Sequence, residues 1–422
     1  MQTNLAEFIR NTPQGREAEA ILRKCVHCGF CNATCPTYQL LGDELDGPRG
    51  RIYLIKQVLE GAAATARTQL HLDRCLTCRS CETTCPSGVS YGRLVDIGRP
   101  IVDQQVGRGA VETVMRKALR AVVPNPSLFS RLLRLGQFTQ PLLPGAVKRK
   151  VPLSANATPW PTNSHARRML VLDGCVQPSL SPNTNAATAR VLDRLGITLL
   201  RAPQAGCCGA VSYHLNAHDE SLAYMRRNID AWWPYVEQGA EAIVITASGC
   251  ATMVAEYGHL LARDPAYAEK AARISALMKD VSEIIAANMD SLKVLPPLTS
   301  RLSPLPKFAF HSPCSLQHGL KMKGKVEALL ADLGFALTAV PDAHLCCGSA
   351  GTYSILQPAL SQQLLRNKIT ALTSGAPTAI VTANIGCQAH LQSTTALPVM
   401  HWIEALDKHL RHNWQISDSA SV

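Results

Sequence analysis

The sequence of 422 residues lacks the long apolar run that a membrane-spanning helix requires, which is about 20 consecutive residues. Its most apolar stretches, such as Ala242–Ala247, are short and are typical of strands in a protein core. The opening residues, Met1–Arg10, contain no apolar segment of a secretory signal. We therefore expect a cytoplasmic protein that is at most peripheral on the inner face of the membrane.

Motifs of catalysis and nucleotide binding are missing as well. No Gly-x-Gly-x-x-Gly follows a predicted strand, because the pair Gly107 and Gly109 lacks the third glycine. The sequence shows no catalytic triad and no His-Glu-x-x-His motif. These absences predict that the chain binds neither flavin nor NAD and has no catalytic residues of its own.

Acidic residues are outnumbered: 42 Lys and Arg face 31 Asp and Glu, a formal net charge of +11. This balance suits an acidic partner or an anionic lipid surface. Sixteen cysteines in a chain without an export signal indicate metal ligation rather than disulfides. Metal-bound thiolates would lower the positive charge, so we do not expect nucleic-acid binding.

Cysteine content divides the chain into regions. Residues 1–100 hold eight cysteines in two tight groups, and residues 166–415 hold the other eight. Residues 101–165 hold none and are rich in proline and basic residues, which predicts a linker with short helices, such as one over Leu128–Leu135. Residues 416–422 are interpreted as a tail.

The region after the linker is an internal repeat, which predicts two related lobes, residues 166–300 and 301–415. Equivalent cysteines of the two lobes lie 137 or 139 positions apart. They are Cys175, Cys207, Cys208 and Cys250 in the first lobe, and Cys314, Cys346, Cys347 and Cys387 in the second. In each lobe they follow three predicted strands, whose carboxyl ends share one edge of a parallel sheet. We therefore expect the four thiols of each of these CCG lobes, named after their Cys-Cys-Gly sequences, to converge.

The first region contains the spacing C-x₂-C-x₂-C-x₃-C-P twice, over Cys25–Pro36 and Cys75–Pro86. Three cysteines so spaced surround one [4Fe–4S] cluster, while the fourth binds the other cluster. The predicted ligands are Cys25, Cys28, Cys31 and Cys85 for the first cluster, and Cys75, Cys78, Cys81 and Cys35 for the second. Structural zinc, the alternative, usually takes two C-x₂-C pairs and has no use for a third cysteine at this spacing.

Between these runs a helix is predicted from Pro48 to Gly61, with the apolar stripe Ile52, Ile55, Val58 and Leu59. Arg49 and Arg51 at its start could dock a partner, but basic residues at a helix start are more often solvated, and solvation is the expectation here. The predicted fold class is therefore multidomain, α+β and α/β: a mostly helical ferredoxin domain with two [4Fe–4S] clusters, followed by two pseudo-repeated α/β CCG lobes.

Longer stretches resemble a known family. Val26–Lys56, Leu180–Gly196 and the two CCG lobes, within about residues 1–412, resemble the iron–sulfur subunit of glycolate oxidase. The resemblance implies an electron-transfer subunit whose flavin-bearing partner subunits oxidise glycolate to glyoxylate, with quinone as the expected acceptor. Two alternatives remain: an electron-transfer subunit for another donor (lactate, glycerol 3-phosphate or a thiol–disulfide couple), or an iron–sulfur sensor.

The content of the CCG lobes stays open at this stage. In heterodisulfide reductase, a wider relative, such lobes bind unusual clusters through paired cysteines and a terminal Cys-x-x-Cys. Here neither Cys250 nor Cys387 is followed by that second cysteine. Three hypotheses compete: a further metal centre, a redox-active thiol pair or a structural relic. Clustered thiols at strand ends suit a soft metal, so all eight lobe cysteines are candidate cofactor ligands.

The linker carries a separate hypothesis. Arg131 and Arg134 lie among the leucines of Leu128–Leu135, and Lys148-Arg149-Lys150 follows. This segment either touches an anionic membrane surface or is an amphipathic helix packed on a neighbouring domain.

Overall fold

A computed structural model describes residues 1–142, 157–293 and 306–417. The chain is mostly helical and contains two four-stranded parallel sheets. Ten α-helices are described before the first sheet: α1 (Glu7–Arg10), α2 (Pro13–Lys24), α3 (Phe30–Ala33), α4 (Pro36–Leu41), α5 (Pro48–Leu59), α6 (Ala66–Asp73), α7 (Ser80–Thr84), α8 (Tyr91–Val106), α9 (Ala110–Val122) and α10 (Pro126–Thr139).

Each lobe then alternates strands and helices, as the fold prediction required. The first lobe comprises β1 (Arg167–Val171), α11 (Gln177–Leu180), α12 (Asn183–Arg194), β2 (Ile197–Arg201), α13 (Ala210–His214), α14 (His218–Glu237), β3 (Ile243–Ile245), α15 (Ser248–Ala255), α16 (Tyr257–Leu260), α17 (Ala268–Leu277), β4 (Met278–Asp280), α18 (Val281–Ala287) and α19 (Met289–Lys293). The second comprises β5 (Lys307–His311), α20 (Lys325–Asp332), β6 (Ala336–Leu337), α21 (Tyr353–Leu356), α22 (Pro358–Thr373), β7 (Ala379–Thr382), α23 (Ile385–Gln392), β8 (Val399–His401) and α24 (Trp402–Ser417).

The two sheets have the same topology. Their strand orders are β2-β1-β3-β4 and β6-β5-β7-β8, and all neighbouring strands are parallel. This confirms the two related α/β lobes. Sequence reasoning missed the fourth strand of each sheet, because β4 (MKD) and β8 (VMH) lack the continuous apolar run that marks β3 (IVI).

The part that contains the two cysteine runs is helical, as predicted. Pro48 opens α5, and the stripe Ile52, Ile55, Val58 and Leu59 is buried in a core shared with α2 and α8. A proline at the first helical position is tolerated because its missing N–H would have no partner there. The same core includes buried cysteines of both runs, so helix packing fixes where the two runs lie.

The part that contains the two cysteine runs packs against both lobes. Nη1 of Arg79 lies 3.0 Å from Oε1 of Glu256 in the first lobe. On the second lobe, Oγ1 of Thr83 lies 2.8 Å from Nδ1 of His318, and the Tyr353 hydroxyl donates to the carbonyl of Arg74. These contacts place the second cysteine run between the lobes.

The two lobes also share structure with each other. Their apolar residues form one core that includes Val171 and Leu192 from the first lobe and Phe310 and Trp402 from the second. Helix α24 lies on α12, where Nη2 of Arg190 is 2.7 Å from Oδ2 of Asp407. The predicted domain limits stay predictions: α8 continues across residue 100, and the boundary at residues 300 and 301 lies outside the described residues.

Helices α9 and α10 occupy the predicted linker, and neither contains a buried residue. Leu135 is 59% exposed and Phe138 is 85% exposed on α10. Lys148-Arg149-Lys150, the basic part of the membrane hypothesis, lies outside the described residues. In the ranges that the structure describes, every helix is too short or too polar to cross a bilayer.

Candidate metal centres

The two cysteine runs of the helical part adopt the same backbone course. In the first run His27 and Gly29 have positive φ angles of 60° and 89°, and in the second Thr77 and Arg79 have 52° and 60°. A left-handed conformation is rare for residues with a side chain, so its repetition at equivalent positions is a structural requirement of the loop. Each loop ends in a short helix, α3 or α7, that carries the third cysteine.

Each loop encloses a cavity together with the fourth cysteine of the other run. One cavity is bordered by Cys25, Cys28, Cys31 and Cys85, and the other by Cys75, Cys78, Cys81 and Cys35. Cys81 borders both. These are the two sets of four that the crossed arrangement requires, so the donors fit two iron–sulfur clusters. The assignment of each cysteine as a ligand stays a prediction.

The separation of these thiols also fits a multi-iron centre. Among the described residues, no three of the eight sulfurs in the two runs lie within 4.8 Å of one another. One ion would draw its ligands closer together than that, whereas iron atoms at different corners of a cubane keep them apart. The structure therefore favours clusters over structural zinc in both runs.

The first cavity opens to solvent. Cys28 is exposed, and beside it Val26 is 68% and Phe30 is 64% exposed. Burial and the neighbouring thiolates of Cys25 and Cys85 together raise the pKa of Cys31 to about 11. A cavity that discourages several adjacent thiolates is suited to a positively charged iron core that compensates them.

The second cavity is bordered by a buried arginine. Arg51 is 1% exposed, and its guanidinium donates from Nη1 to Oγ1 of Thr37 at 3.1 Å and lies 3.9 Å from Sγ of Cys35. It is ion-paired with Asp46, which also pairs with Arg74 at 2.8 Å. The expectation that Arg51 is solvated is wrong: α5 packs with its first turn against the second run.

A second buried arginine approaches the same cavity from α8. Nη2 of Arg99 donates to the carbonyls of Leu72 and Cys75, each at 2.7 Å. Burial alone would raise the pKa of Cys75, but Arg51 and Arg99 together hold it below its ordinary value. Burial raises the pKa of Cys78 well above the usual range, and the neighbouring Cys314 thiol adds to this. Two fixed cations thus balance thiolate charge in this cavity.

In the first CCG lobe the thiols of the four cysteines lie next to one another. Cys175 follows β1, Cys207 and Cys208 follow β2, and Cys250 lies in the first turn of α15. Hydrogen bonds join the thiols of Cys175 and Cys207, and those of Cys208 and Cys250. Cys207 is also hydrogen-bonded to Cys208, so the four thiols form a chain of contacts, and the hydrogen bonds from Cys175 and Cys208 lower the pKa of Cys207.

In the second lobe the corresponding contacts recur. Sγ of Cys314 lies 3.8 Å from Sγ of Cys346, and the thiol of Cys347 contacts those of Cys346 and Cys387. The side-chain amide of Asn384 donates to Sγ of Cys387 at 3.4 Å. The four candidate residues of each lobe are therefore neighbours at the carboxyl edge of its sheet, as the topology predicts. Their role as cofactor ligands stays a prediction.

The glycine after each Cys-Cys pair has a structural reason. Gly209 and Gly348 have φ angles of 90° and 86°, which side-chain-bearing residues rarely adopt. Ser221 donates its hydroxyl to the carbonyl of Gly209, and Ser361 donates to that of Gly348 at 2.8 Å. A Cβ at position 348 would lie 2.6 Å from the backbone oxygen of Ser361. The turn that presents both thiols can thus form only with glycine.

Sequence reasoning missed two buried polar residues beside the thiols of the second lobe. His311 lies at the end of β5. One of its ring nitrogens and the sulfurs of Cys347 and Cys387 all lie within 4.8 Å of one another. Burial lowers the pKa of His311 to about 3, so the imidazole is neutral. Lys368 is buried on α22 and donates to the carbonyl of Asp342 at 2.8 Å. Aligning the repeats residue by residue would have exposed His311, because the first lobe has Leu172 there.

The second cluster cavity and both lobes face one central cleft. The cleft has a volume of about 640 Å³. Its walls include Cys78 from the second run, Cys175 and Cys250 from the first lobe, and Cys314, Cys346 and Cys387 from the second lobe. The three cysteine-rich units therefore form a single continuous region in the interior of the molecule.

Comparisons with known proteins agree with this division. Residues 21–89 match the model of a 4Fe-4S dicluster domain, and residues 169–255 and 308–392 each match that of a cysteine-rich domain. The chain is 58% identical over 411 residues to the glycolate oxidase iron-sulfur subunit of Escherichia coli K12. The aligned region covers 97% of this chain and 99% of that protein.

The chain is also similar to two less identical proteins, one named for glycolate oxidase and one for lactate utilization. The probable glycolate oxidase iron-sulfur subunit of Bacillus subtilis is 30% identical over 90% of both chains. Lactate utilization protein A of Bacillus licheniformis is 27% identical over 239 residues, which are 55% of this chain and 96% of that protein.

Proposed function

Because this chain belongs to the family of glycolate oxidase iron–sulfur subunits, we propose that it is the electron-transfer subunit of a flavin-linked glycolate dehydrogenase. Flavin-bearing partner subunits would oxidise glycolate to glyoxylate, and this chain would convey the electrons to an acceptor, for which we propose quinone. The observation that carries the proposal is the pair of adjoining cavities, each bordered by cysteines of both runs.

The proposed cofactors are two [4Fe–4S] clusters, bound by the eight cysteines of the two runs. Such clusters, when bound, exchange one electron at a time, so a flavin on a partner must first divide the electron pair taken from a hydroxy acid. The residues of this chain position and shield the clusters. Arg51 and Arg99 provide fixed positive charge beside the second cavity, and Cys28 gives the first cavity its solvent-facing side.

We propose that the difference between the two cavities sets the direction in which electrons pass through the subunit. A partner can approach the first cavity at the exposed apolar rim formed by Val26 and Phe30. The second cavity is covered by the lobes, whose cysteines share the central cleft with Cys78. We therefore propose that the flavin-bearing subunit docks at the rim and that the CCG lobes, with at least one further metal centre, lie on the far side.

We also propose a cytoplasmic location with peripheral attachment to the membrane, where quinone is found. The support is the exposed apolar surface of α10, including Leu135 and Phe138. A helix whose apolar side chains are uncovered needs either a partner or a lipid surface. No role with nucleic acid is proposed.

The proposal is tested by purifying the chain with and without its co-expressed flavoprotein partners. The complex should reduce a dye acceptor with glycolate, whereas the isolated chain, free of flavin, should not. Glycolate oxidation by the isolated chain would refute the non-catalytic role. Because one relative is named for lactate utilization, lactate should be tested in parallel. If the complex reduced the dye with lactate but not with glycolate, lactate would be the substrate of the complex.

A further inference from the structure

We infer that the second CCG lobe holds a single Zn²⁺ ion, bound by His311, Cys347 and Cys387 and completed by Cys346. The inference rests on the proposed function only in treating the CCG lobes as metal-binding. It deepens that proposal by assigning the lobe, the ion and a histidine ligand. Zinc takes four nitrogen and sulfur ligands in structural sites, and three cysteines with one histidine is one of its common sets.

The spacing of the donors carries the argument. The ligand atoms of His311, Cys347 and Cys387 all lie within 4.8 Å of one another. With Zn–S bonds of about 2.3 Å, two thiolates on a tetrahedral zinc lie about 3.8 Å apart, and a zinc-bound nitrogen lies slightly closer. The three donors are therefore near the separation that one ion imposes. In the described cysteine runs before the lobes, no three thiols are this close.

The imidazole is held as a ligand requires. Nδ1 of His311, on β5, lies 3.0 Å from Oγ1 of Thr382, its register partner on β7. When Nδ1 donates its proton to this hydroxyl, Nε2 keeps the lone pair that binds a metal. The amide of Asn384 donates to Sγ of Cys387 and orients that thiol. Outer hydrogen bonds of this kind are the usual support of a zinc site.

Cys346 is the proposed fourth ligand because its thiol neighbours that of Cys347, although it lies outside the group of donors within 4.8 Å of one another. Cys346 is also buried. Three thiolates, one neutral imidazole and Zn²⁺ leave a net charge of −1 at the site. The buried ammonium of Lys368 supplies +1 close to Cys346 and Cys347. A buried ion needs such a counter-charge, and among the described residues the backbone carbonyls of Asp342 and Ala343 hold the lysine in place.

The first lobe lacks this arrangement. It has Leu172 in place of His311 and Asn228 in place of Lys368, where Ser221 and Ser361 fix the register of the comparison. Within the described part of that lobe, no group of three donors meets the same distance limit. The zinc site is thus assigned to the second lobe alone. Zinc has no redox chemistry, so it fixes the loops beside Cys78 without accepting electrons.

The test begins with the full chain, purified anaerobically and analysed for zinc and iron together. We expect about one zinc per chain in addition to about eight iron atoms from the two clusters. X-ray absorption at the zinc edge should give one nitrogen at about 2.0 Å and three sulfurs at about 2.3 Å. A shell of sulfur alone, or iron in place of zinc in this lobe, would overturn the inference.

Matched variants separate this site from unspecific zinc. His311→Leu, which introduces the residue of the first lobe, should abolish stoichiometric zinc and leave the iron content unchanged. Thr382→Val keeps the ligand and should weaken zinc binding about 10–100-fold in chelator competition. Cys387→Ser should lose zinc, whereas Cys250→Ser, at the equivalent position of the first lobe, should retain it. Zinc retained by both His311→Leu and Cys387→Ser would contradict the site.

Glycolate-dependent dye reduction by the co-purified complex is measured on the same samples. Stoichiometric zinc with the expected ligands in an inactive complex would contradict the proposed function but not the zinc site. An active complex without zinc would contradict the zinc site but not the function.

Discussion

Arg51 and Asp46 form an ion pair in which Nη2 lies 3.3 Å from Oδ1 and both side chains are almost inaccessible. The pair links the start of α5 to the loop before it and lies directly beside Cys35. Asp46 has two further basic neighbours, His71 at 3.1 Å and Arg74 at 2.8 Å. The carboxylate is therefore compensated several times over, whereas Arg51 depends on Asp46 and the thiolates.

Replacing Asp46 by Asn should destabilise the protein strongly. The change leaves the buried guanidinium of Arg51 without its carboxylate, and removing one partner of a buried pair costs about 3–5 kcal/mol. Urea unfolding of the cluster-loaded chain measures the free energy of unfolding. Arg49→Gln is the control, because Arg49 and Glu44 form an ion pair whose side chains are 33% and 41% exposed, and such a pair should contribute about 0–1 kcal/mol. Equal losses for the two variants would contradict the buried role.

If each cluster takes its fourth ligand from the other run, cysteine variants in different runs should perturb the same cluster. Cys85→Ser should perturb the same cluster as Cys28→Ser, and Cys35→Ser the same cluster as Cys78→Ser, because each cavity is bordered by both runs. Iron analysis and electron paramagnetic resonance of the reduced variants provide the comparison. If Cys35→Ser instead matched Cys28→Ser, each run would bind its own cluster and the assignment would fail.

The glycine after the second Cys-Cys pair should be more sensitive than that after the first. Gly348→Ala combines a positive φ with a Cβ that would lie only 2.6 Å from the backbone oxygen of Ser361. At Gly209 the atom nearest to the Cβ position is the side-chain hydroxyl of Ser221, at 2.8 Å, and a side chain can move more easily than the backbone. Gly324→Ala is the control for backbone conformation alone, since nothing lies within 4 Å of its Cβ position, and it should cost about 1–2 kcal/mol. Thermal unfolding should rank Gly348→Ala as most destabilising; the reverse order would contradict the close approach.

The exposed face of α10 should determine any membrane attachment. Leu135→Gln with Phe138→Gln removes two apolar side chains, each of which would contribute about 1.5–3 kcal/mol if buried in lipid. Flotation with liposomes should fall for neutral and anionic vesicles alike. Arg131→Gln with Arg134→Gln should reduce flotation only with anionic vesicles, by about 1 kcal/mol per charge. Unchanged flotation in both double variants would leave α10 as a surface for a protein partner.

The sequence by itself determined the features that depend on short stretches of chain. The spacing of each cysteine run specifies a loop around a cubane, because the first three cysteines of a run lie within seven residues of backbone. The internal repeat specified two lobes of one topology, and the apolar stripe of α5 specified a buried helix. In each case the physical cause is local periodicity or spacing, which is written directly in the order of residues.

Only the tertiary structure decided what lies beside these motifs. Arg51 has the sequence context of a solvated residue at a helix start, yet packing of α5 against the second run buries it next to Cys35. His311 has the context of a strand residue, and only the pairing of β5 with β7 places it against Cys347 and Cys387. Residues far apart in the chain become neighbours through the balance of packing over the whole core, and no local pattern encodes that balance.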